Sequence, residues 1–340
     1  MSKEICIFGA GSIGCYVGGR LLAAGGSVSF IGRERLGREL QEHGLHLTDY
    51  LGADLRVPAA GVRFATDVSR PLQADLVLVT VKSSGTEEAA RVLDAALEKP
   101  TVIVSFQNGV GNADVLRRHL PSHTVLAGMV LFNTVNSGKG HFHQGSQGSL
   151  DVEKHAALEP FVGLFERAGL PLHQQAAMRS VQWAKLLLNL NNAINALSDL
   201  PLKEQLSQRA YRRCAALAQL EGLRILRAAG IRPAQVTSLP PHWIPRLLGT
   251  PDWLFRRLAH KMIAIDPHAR SSMWEDLNRG RPTEVDWING ELVRLASSVG
   301  QRAPVNERLT ELVHEAEKGN RSPWSGEYLL AELAPRHVAS

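Results

Sequence analysis

Residues 9–14 read Gly-Ala-Gly-Ser-Ile-Gly and follow directly on the apolar run EICIF at 4–8. Glycines at these three places impose a narrow geometry. Gly9 permits a tight turn out of a strand, Gly11 lets the backbone approach a bound group, and Gly14 lets a helix pack closely on that strand. The segment SIGCYVGGRLLAAG supplies the helix, closed by Gly25-Gly26, and SVSFIGR supplies the next strand. Strand, glycine turn, helix and second strand commit the chain's start to a sheet of parallel strands.

The alternation continues. ADLVLVTVK and TVIVSFQNG are compact apolar strands around the helix-like GTEEAARVLDAALEKP, and TVLAGMVLFNTV reads as a further strand. Nearly continuous apolar strands separated by helices are what a sheet covered on both faces requires. GLHLTDYLGADLRVP suits a hairpin around Gly52, and NSGKGHFHQGSQGSLDVE suits antiparallel strands and turns. ALEPFVGLFERAGLPLHQQ reads as a helix and a short strand. From Met178 onward the β pattern stops, and helical periodicity covers 181–198, 204–229, 253–264, 283–299 and 305–317. The expected fold class is therefore α/β: a Rossmann-type doubly wound sheet in 1–177, then an all-α C-terminal domain in 178–340. A length of 340 residues is enough for two cores.

Composition narrows the function classes. The net charge of +5, from 38 Lys+Arg against 33 Asp+Glu, is dispersed without a basic block, so nucleic acid is not an expected partner. A mildly basic balance suits an anionic small molecule. No apolar run is long enough for a bilayer, so no membrane partner is expected either. Three cysteines (Cys6, Cys15, Cys214) without CxxC spacing predict neither a disulfide framework nor a zinc site, and fit a reducing compartment. The N-terminus runs straight into a strand without a signal-peptide pattern, so a cytoplasmic location is expected. His141 and His143 form an HxH pair, but no third ligand stands at a recognisable spacing, and no metal is expected. No GxSxG elbow points to a hydrolase.

A GxGxxG turn between strand and helix is a dinucleotide signature. Residues Gly9, Ala10, Gly11, Ser12, Ile13 and Gly14 would meet a pyrophosphate, with the N–H groups and positive dipole end of the helix facing it. The second strand ends in Arg33, with Arg35 close behind. A guanidinium there matches the 2′-phosphate of NADP. Glu34 is the competing feature, since a carboxylate serves an NAD ribose. Ligands in open α/β sheets sit outside the carboxyl ends of strands, which singles out Lys82 in LVTVKSS and Asn108 in SFQNGVG. Each is also compatible with a plain turn.

The helical half holds a second unusual pattern, VQWAKLLLNLNNAINALS at 181–198. On one continuous helix Lys185, Asn189 and Asn192 share a stripe roughly 60° wide, and most of the remaining circumference is apolar. An exposed face favours charged helix formers over asparagine, so the stripe points to a cavity. Further on, TEVDWINGELVRLA begins a helix at Thr283-Glu284. Taken alone, Glu284 reads as a first-turn carboxylate favoured by the helix dipole, and Ser271-Ser272 as a turn or as interior helix serines.

The combination of GAGSIG, Arg33, VTVK, QNGVG, WAKLLLN, SSMWEDL and TEVDWINGEL resembles the ketopantoate reductase (2-dehydropantoate 2-reductase) family, in order and over most of the chain. The resemblance implies NADPH-dependent reduction of a small-molecule 2-keto acid, 2-dehydropantoate, to (R)-pantoate in pantothenate and coenzyme A biosynthesis, at a site to which both domains contribute. It makes Lys185 the proton donor and has Glu284 bond the substrate hydroxyl, place Lys185 and touch the cofactor. Ser272 would bind the substrate carboxylate, and Asn108, Asn189 and Asn192 would position substrate or lysine. Arg33 and Lys82, with Asn108, belong on the NADP side. The family's second helix asparagine, eight residues after the lysine, is Ala193 here, which leaves Asn192 as a substitute or the helix locally different. The segment 237–270 is longer than the family minimum, and its Trp243, Trp253 and Phe255 read as core or interface. Two other functions stay open: a D-2-hydroxyacid dehydrogenase for another branched or aromatic 2-keto acid, and a nonenzymatic NADP sensor. A homodimer is compatible with the sequence, which does not set the oligomeric state.

Overall fold

The structure is a computed structural model and describes residues 3–68, 71–258 and 269–338. The chain divides into two compact units, Met1–Arg179 and Ser180–Ser340.

The first unit is built on twelve strands: β1 Glu4–Phe8, β2 Ser27–Ile31, β3 Leu45–Asp49, β4 Asp54–Val57, β5 Arg63–Ala65, β6 Leu76–Val79, β7 Val102–Ser105, β8 Thr124–Val130, β9 Thr134–Gly138, β10 His141–Gln144, β11 Leu150–Glu153 and β12 Leu172–Gln175. Its helices are α1 Ser12–Ala23, α2 Glu34–His43, α3 Thr86–Ala96, α4 Asn112–His119 and α5 Glu159–Arg167. The main sheet runs β12-β11-β8-β7-β6-β1-β2-β5. From β8 through β5 every pair is parallel, whereas β11 joins β8 antiparallel. The strand order reverses at β1 and β6, so their carboxyl ends form the crevice where ligands of doubly wound sheets bind. Ile5, Ile7, Leu76, Val77, Leu78 and Val79 are fully buried, as expected of strands covered on both faces.

A second sheet runs β4-β3-β10-β9. The hairpin expected around Gly52 is β3–β4, and β9–β10 is antiparallel, but β10 also lies parallel to β3. Helix α1 is tied to this sheet by polar groups. Arg20 donates to the Tyr16 hydroxyl (2.8 Å), Asp49 (3.1 Å) and the Ala168 carbonyl (3.0 Å), and Tyr16 donates to Gln144 (3.0 Å). These buried polar groups thus meet one another, which is the condition for keeping them inside.

Among its described residues the second unit has helices and connecting loops but no strand. Helix α6 (Met178–Asn189) crosses the boundary into it, followed by α7 Asn191–Ser198, α8 Leu202–Ser207, α9 Arg209–Ala228, α10 Ile244–Leu248, α11 Asp252–Leu258, α12 Ser272–Asn278, α13 Val285–Ser298, α14 Pro304–Glu317 and α15 Gly326–Val338. Buried Glu221 on α9 accepts the Val305 and Asn306 N–H groups at 3.0 and 2.9 Å, so a carboxylate meets the positive end of α14. None of the described helices is long and apolar enough to cross a membrane.

Several boundaries differ from the periodicity. The continuous helix expected over 181–198 is interrupted at Leu190, which keeps helical dihedrals and still donates to the Leu186 carbonyl at 3.0 Å. The helix expected over 204–229 is cut at Gln208, whose backbone is extended (φ −100°, ψ 121°). The helix expected from 283 starts at Val285. Of the expected 253–264, helix α11 accounts for the part up to Leu258, and 259–264 lie outside the described residues. Helix α15 has no counterpart in the expected elements. Phe255 is core, stacked under the Arg212 guanidinium at 4.2 Å, while Trp243 and Trp253 stand exposed.

Candidate active site

In the first unit the glycine turn is shaped by what surrounds it. Gly9 has φ +106°, and a Cβ there would come within 2.5 Å of the Val81 nitrogen just past β6. A Cβ on Gly14 would meet Thr80 Oγ1 at 2.6 Å and Ile7 at 2.8 Å. Gly11 differs, because its nearest neighbour would be the Gly9 carbonyl at 3.9 Å. Two glycines are therefore demanded by packing, and the third leaves open space at the turn. The Ile31 carbonyl accepts the Gly9 and Ala10 N–H groups at 3.0 and 2.8 Å, and Thr80 Oγ donates to the Gly9 carbonyl at 2.7 Å. The Ser12, Ile13 and Gly14 N–H groups form the first turn of α1, which has neither a side-chain cap nor an acidic residue. Such a terminus suits a phosphate.

Three strand ends converge around this turn. Arg33 follows β2 as the exposed residue before α2, and its guanidinium has no hydrogen bond or ion pair among the described residues. Glu34, the competing acidic residue, opens α2 and lies 3.7 Å from Arg38 on the exposed face of that helix. Lys82 follows β6 and Asn108 follows β7, both half-buried. The two loops are stitched together. Ser83 Oγ and Asn112 Nδ2 donate to the Asn108 carbonyl (2.9 and 2.5 Å), Gln107 Nε2 donates to the Val81 carbonyl (3.1 Å), and Thr86 Oγ donates to Asn112 Oδ1 (2.8 Å). Sequence reasoning missed this supporting set and Thr80, although Thr80, Ser83 and Gln107 stand inside the motifs it quoted, with Thr86 and Asn112 just beyond them.

In the second unit the lysine and four asparagines of 181–198 divide into two groups. Asn191 and Gln205 exchange amide hydrogen bonds at 3.0 and 3.2 Å. Asn195, fully buried, donates to the Leu200 carbonyl (2.9 Å) and accepts the Ser271 N–H (2.9 Å). These two asparagines hold the fold. The side chains of Lys185, Asn189 and Asn192 make no hydrogen bond or ion pair among the described residues, and all three are half-buried. Burial pushes the Lys185 ammonium down from its usual 10.5 to about 8. A buried amine with no carboxylate partner among the described residues holds its proton less tightly than an exposed lysine does. Ala193 is fully buried, so its methyl belongs to the core.

The second motif places its serines differently. Ser271 is buried as the N-cap of α12, accepting from the Trp274 N–H at 3.1 Å, and Ser272 is exposed as the first residue of that helix. Glu284 is 8 % exposed and immediately precedes α13. Its side chain does not cap that helix; Thr283 Oγ1 accepts the Val285 N–H instead, at 3.2 Å. The first-turn capping role that Glu284 would have as an ordinary carboxylate is thus filled by its neighbour. His141 and His143 lie on β10, both within hydrogen-bond distance of Thr48 Oγ1, with His46 stacked on His141. Among the described residues no group of three or more His, Cys, Asp or Glu is arranged to hold a metal.

Comparison with known proteins bears on both halves. Residues 5–157 match the family described as "Ketopantoate reductase PanE/ApbA", and residues 177–317 match "Ketopantoate reductase PanE/ApbA C terminal". A 2-dehydropantoate 2-reductase of Halobacterium salinarum is 30% identical over 323 residues, which cover 93% of this chain and 99% of that one. The crystal structure of a PanE/ApbA family ketopantoate reductase from Ralstonia eutropha JMP134 superposes with a TM-score of 0.79 at 32% identity, covering 94% of this chain and all of that one. The structure of a D-mandelate dehydrogenase with NADH and anilino(oxo)acetate shares the fold, with a TM-score of 0.76 at 22% identity over 93% of this chain and 99% of that one.

Proposed function

Because this chain belongs to the ketopantoate reductase PanE/ApbA family, we propose that it is an NADPH-dependent reductase converting 2-dehydropantoate to (R)-pantoate. The observation that carries the chemistry is Lys185, an amine whose pKa burial brings to about 8 and which has no ion-pair partner among the described residues.

The glycine turn fits a dinucleotide: Gly11 leaves room for a pyrophosphate, and the N–H groups of Ser12, Ile13 and Gly14 face the same end of α1. When bound, NADPH supplies the hydride. Arg33 pairs with the 2′-phosphate, a role supported by its place at the β2 end and by the engagement of Glu34 with Arg38. Lys82 and Asn108, on the stitched loops after β6 and β7, face the cofactor as well, and Asn108 also orients substrate. Lys185 holds the ketone oxygen and gives it a proton as the alkoxide develops. Glu284 accepts the substrate hydroxyl and keeps Lys185 in place. Ser272 binds the substrate carboxylate, and Asn189 and Asn192 position the lysine and the substrate tail. Asn192 takes the place of the family's second asparagine, because Ala193 points into the core.

The reading is tested by NADPH and NADH oxidation over a panel of 2-keto acids, using the wild type and Lys185→Ala. Ketopantoate with NADPH should give the highest kcat/KM. Lys185→Ala should lower kcat by about 10²–10⁴-fold with little change in NADPH affinity. A better branched or aromatic keto acid would make the protein a D-2-hydroxyacid dehydrogenase on this fold. No oxidation with any keto acid would make it a nucleotide sensor.

A further inference from the structure

The residues around Glu284 form a closed ring that the reaction scheme does not use. His314 on α14 stands between two carboxylates, with Nε2 3.0 Å from Asp286 Oδ1 and Nδ1 2.9 Å from Glu317 Oε2. The other oxygen of Glu317 accepts the Thr283 N–H at 2.7 Å. From Thr283 the ring runs through Glu317, His314 and Asp286, then back along the chain through Val285 and Glu284. One imidazole therefore ties both ends of the four-residue turn that carries Glu284.

We propose that His314 is a positioning residue for Glu284: its imidazolium clamps Thr283 (through Glu317) and Asp286, and so fixes where the Glu284 carboxylate stands. This rests on the role given to Glu284 above. Only an imidazolium donates from both nitrogens; a neutral ring keeps one N–H and releases one of the two carboxylates. The charged groups facing the ring are Asp286 from α13 and Glu317 from its own helix. Arg294 donates to the Asp286 carbonyl at 2.7 Å and to Glu291, and makes no bond to the His314 imidazole. Burial opposes the charge on His314, but the hydrogen bonds to Glu317 and Asp286 outweigh it and raise the pKa above its ordinary value. Glu317 shifts downward: burial acts against this, and the Thr283 N–H and His314 prevail.

The test is kcat for ketopantoate and NADPH between pH 6 and 9.5, in the wild type and His314→Gln, where glutamine imitates the neutral ring. The variant should lose roughly five- to twentyfold at pH 6 through misplacement of Glu284. The ratio of the two enzymes should fall toward one as pH rises through the His314 pKa. The Lys185 limb is common to both and cancels in that ratio. In a Glu284→Gln background the His314 change should cost nothing further. A ratio constant with pH, or an added loss in that background, overturns the proposal. If Glu284→Gln itself turns over like the wild type, the catalytic use of Glu284 fails instead, and amide exchange judges the clamp alone. His314→Gln should then speed exchange at Thr283 at pH 6 but not at pH 9, and equal rates would overturn the clamp.

Discussion

At residues 9–14 the first unit shapes its turn by leaving side chains out at three glycines, whereas the second unit sets an amine at Lys185 and amides at Asn189 and Asn192 in a leucine-rich helical stretch. The glycine turn has no titratable group in it. Its geometry comes from close contact of the backbone with Val81, Thr80 and Ile7. The lysine helix is packed by Trp183, Leu186, Leu187 and Leu190, and its chemistry rests on the identity of a few polar atoms. The two regions should therefore fail differently: the turn through strain and lost packing, the helix through lost chemistry in an intact fold.

The largest effect is expected where the turn is tightest. Gly9→Ala puts a Cβ against the Val81 nitrogen at a φ of +106°, and should cost roughly 3 kcal/mol or more in denaturant unfolding. Gly11→Ala has open space, so stability should stay within about 0.5 kcal/mol while NADPH affinity falls. Equal losses of stability at both positions would break the distinction between a glycine required by packing and one kept for a ligand.

The helix should show the reverse, with a gain in stability when its chemistry is removed. Lys185 has a folded pKa of about 8 against 10.5 unfolded. Below pH 8 both states are charged and the buried ammonium costs the fold about 3 kcal/mol; the cost fades as pH rises toward 10.5 and is gone above it. Lys185→Met should therefore raise stability by up to about 3 kcal/mol at pH 7, lose that gain by pH 11, and abolish turnover. A destabilised methionine variant would mean that the ammonium is held by the fold for structure.

A smaller contrast divides the asparagines. Asn195→Ala removes a buried amide with two backbone partners and should cost about 1–3 kcal/mol. Asn189→Ala should leave thermal unfolding within about 0.5 kcal/mol of the wild type and lower kcat/KM instead. Comparing unfolding with turnover for both variants sharpens the division into fold-holding and substrate-facing amides.

These contrasts explain what the sequence could show. The strands of the main sheet, the glycine turn and the change to helices are written in local periodicity and turn chemistry, and the doubly wound sheet followed by helices is what the chain forms. The pairing of β10 with β3 joins residues about 95 apart, as with His143 and Thr48, and no local pattern encodes it. The interruption at Leu190 carries no glycine or proline and keeps helical dihedrals, so periodicity passes through it unmarked. Lys185 stood out because one lysine among leucines is chemically odd. The sorting of asparagines did not, since Asn191 and Asn195 are claimed by Gln205, Leu200 and Ser271 only once the chain has folded. The ring through His314 was hidden for the same reason: Asp286 and His314 are 28 residues apart.

Proton donation by the Lys185 ammonium is read out by the single-turnover rate of NADPH oxidation with ketopantoate, followed from pH 6 to 10. The wild-type rate should fall as pH rises through about 8, with Lys185→Ala at least a hundredfold slower and lacking that limb. A wild-type rate flat from pH 7 to 10, or a Lys185→Ala enzyme that keeps the same limb at a similar rate, would contradict it.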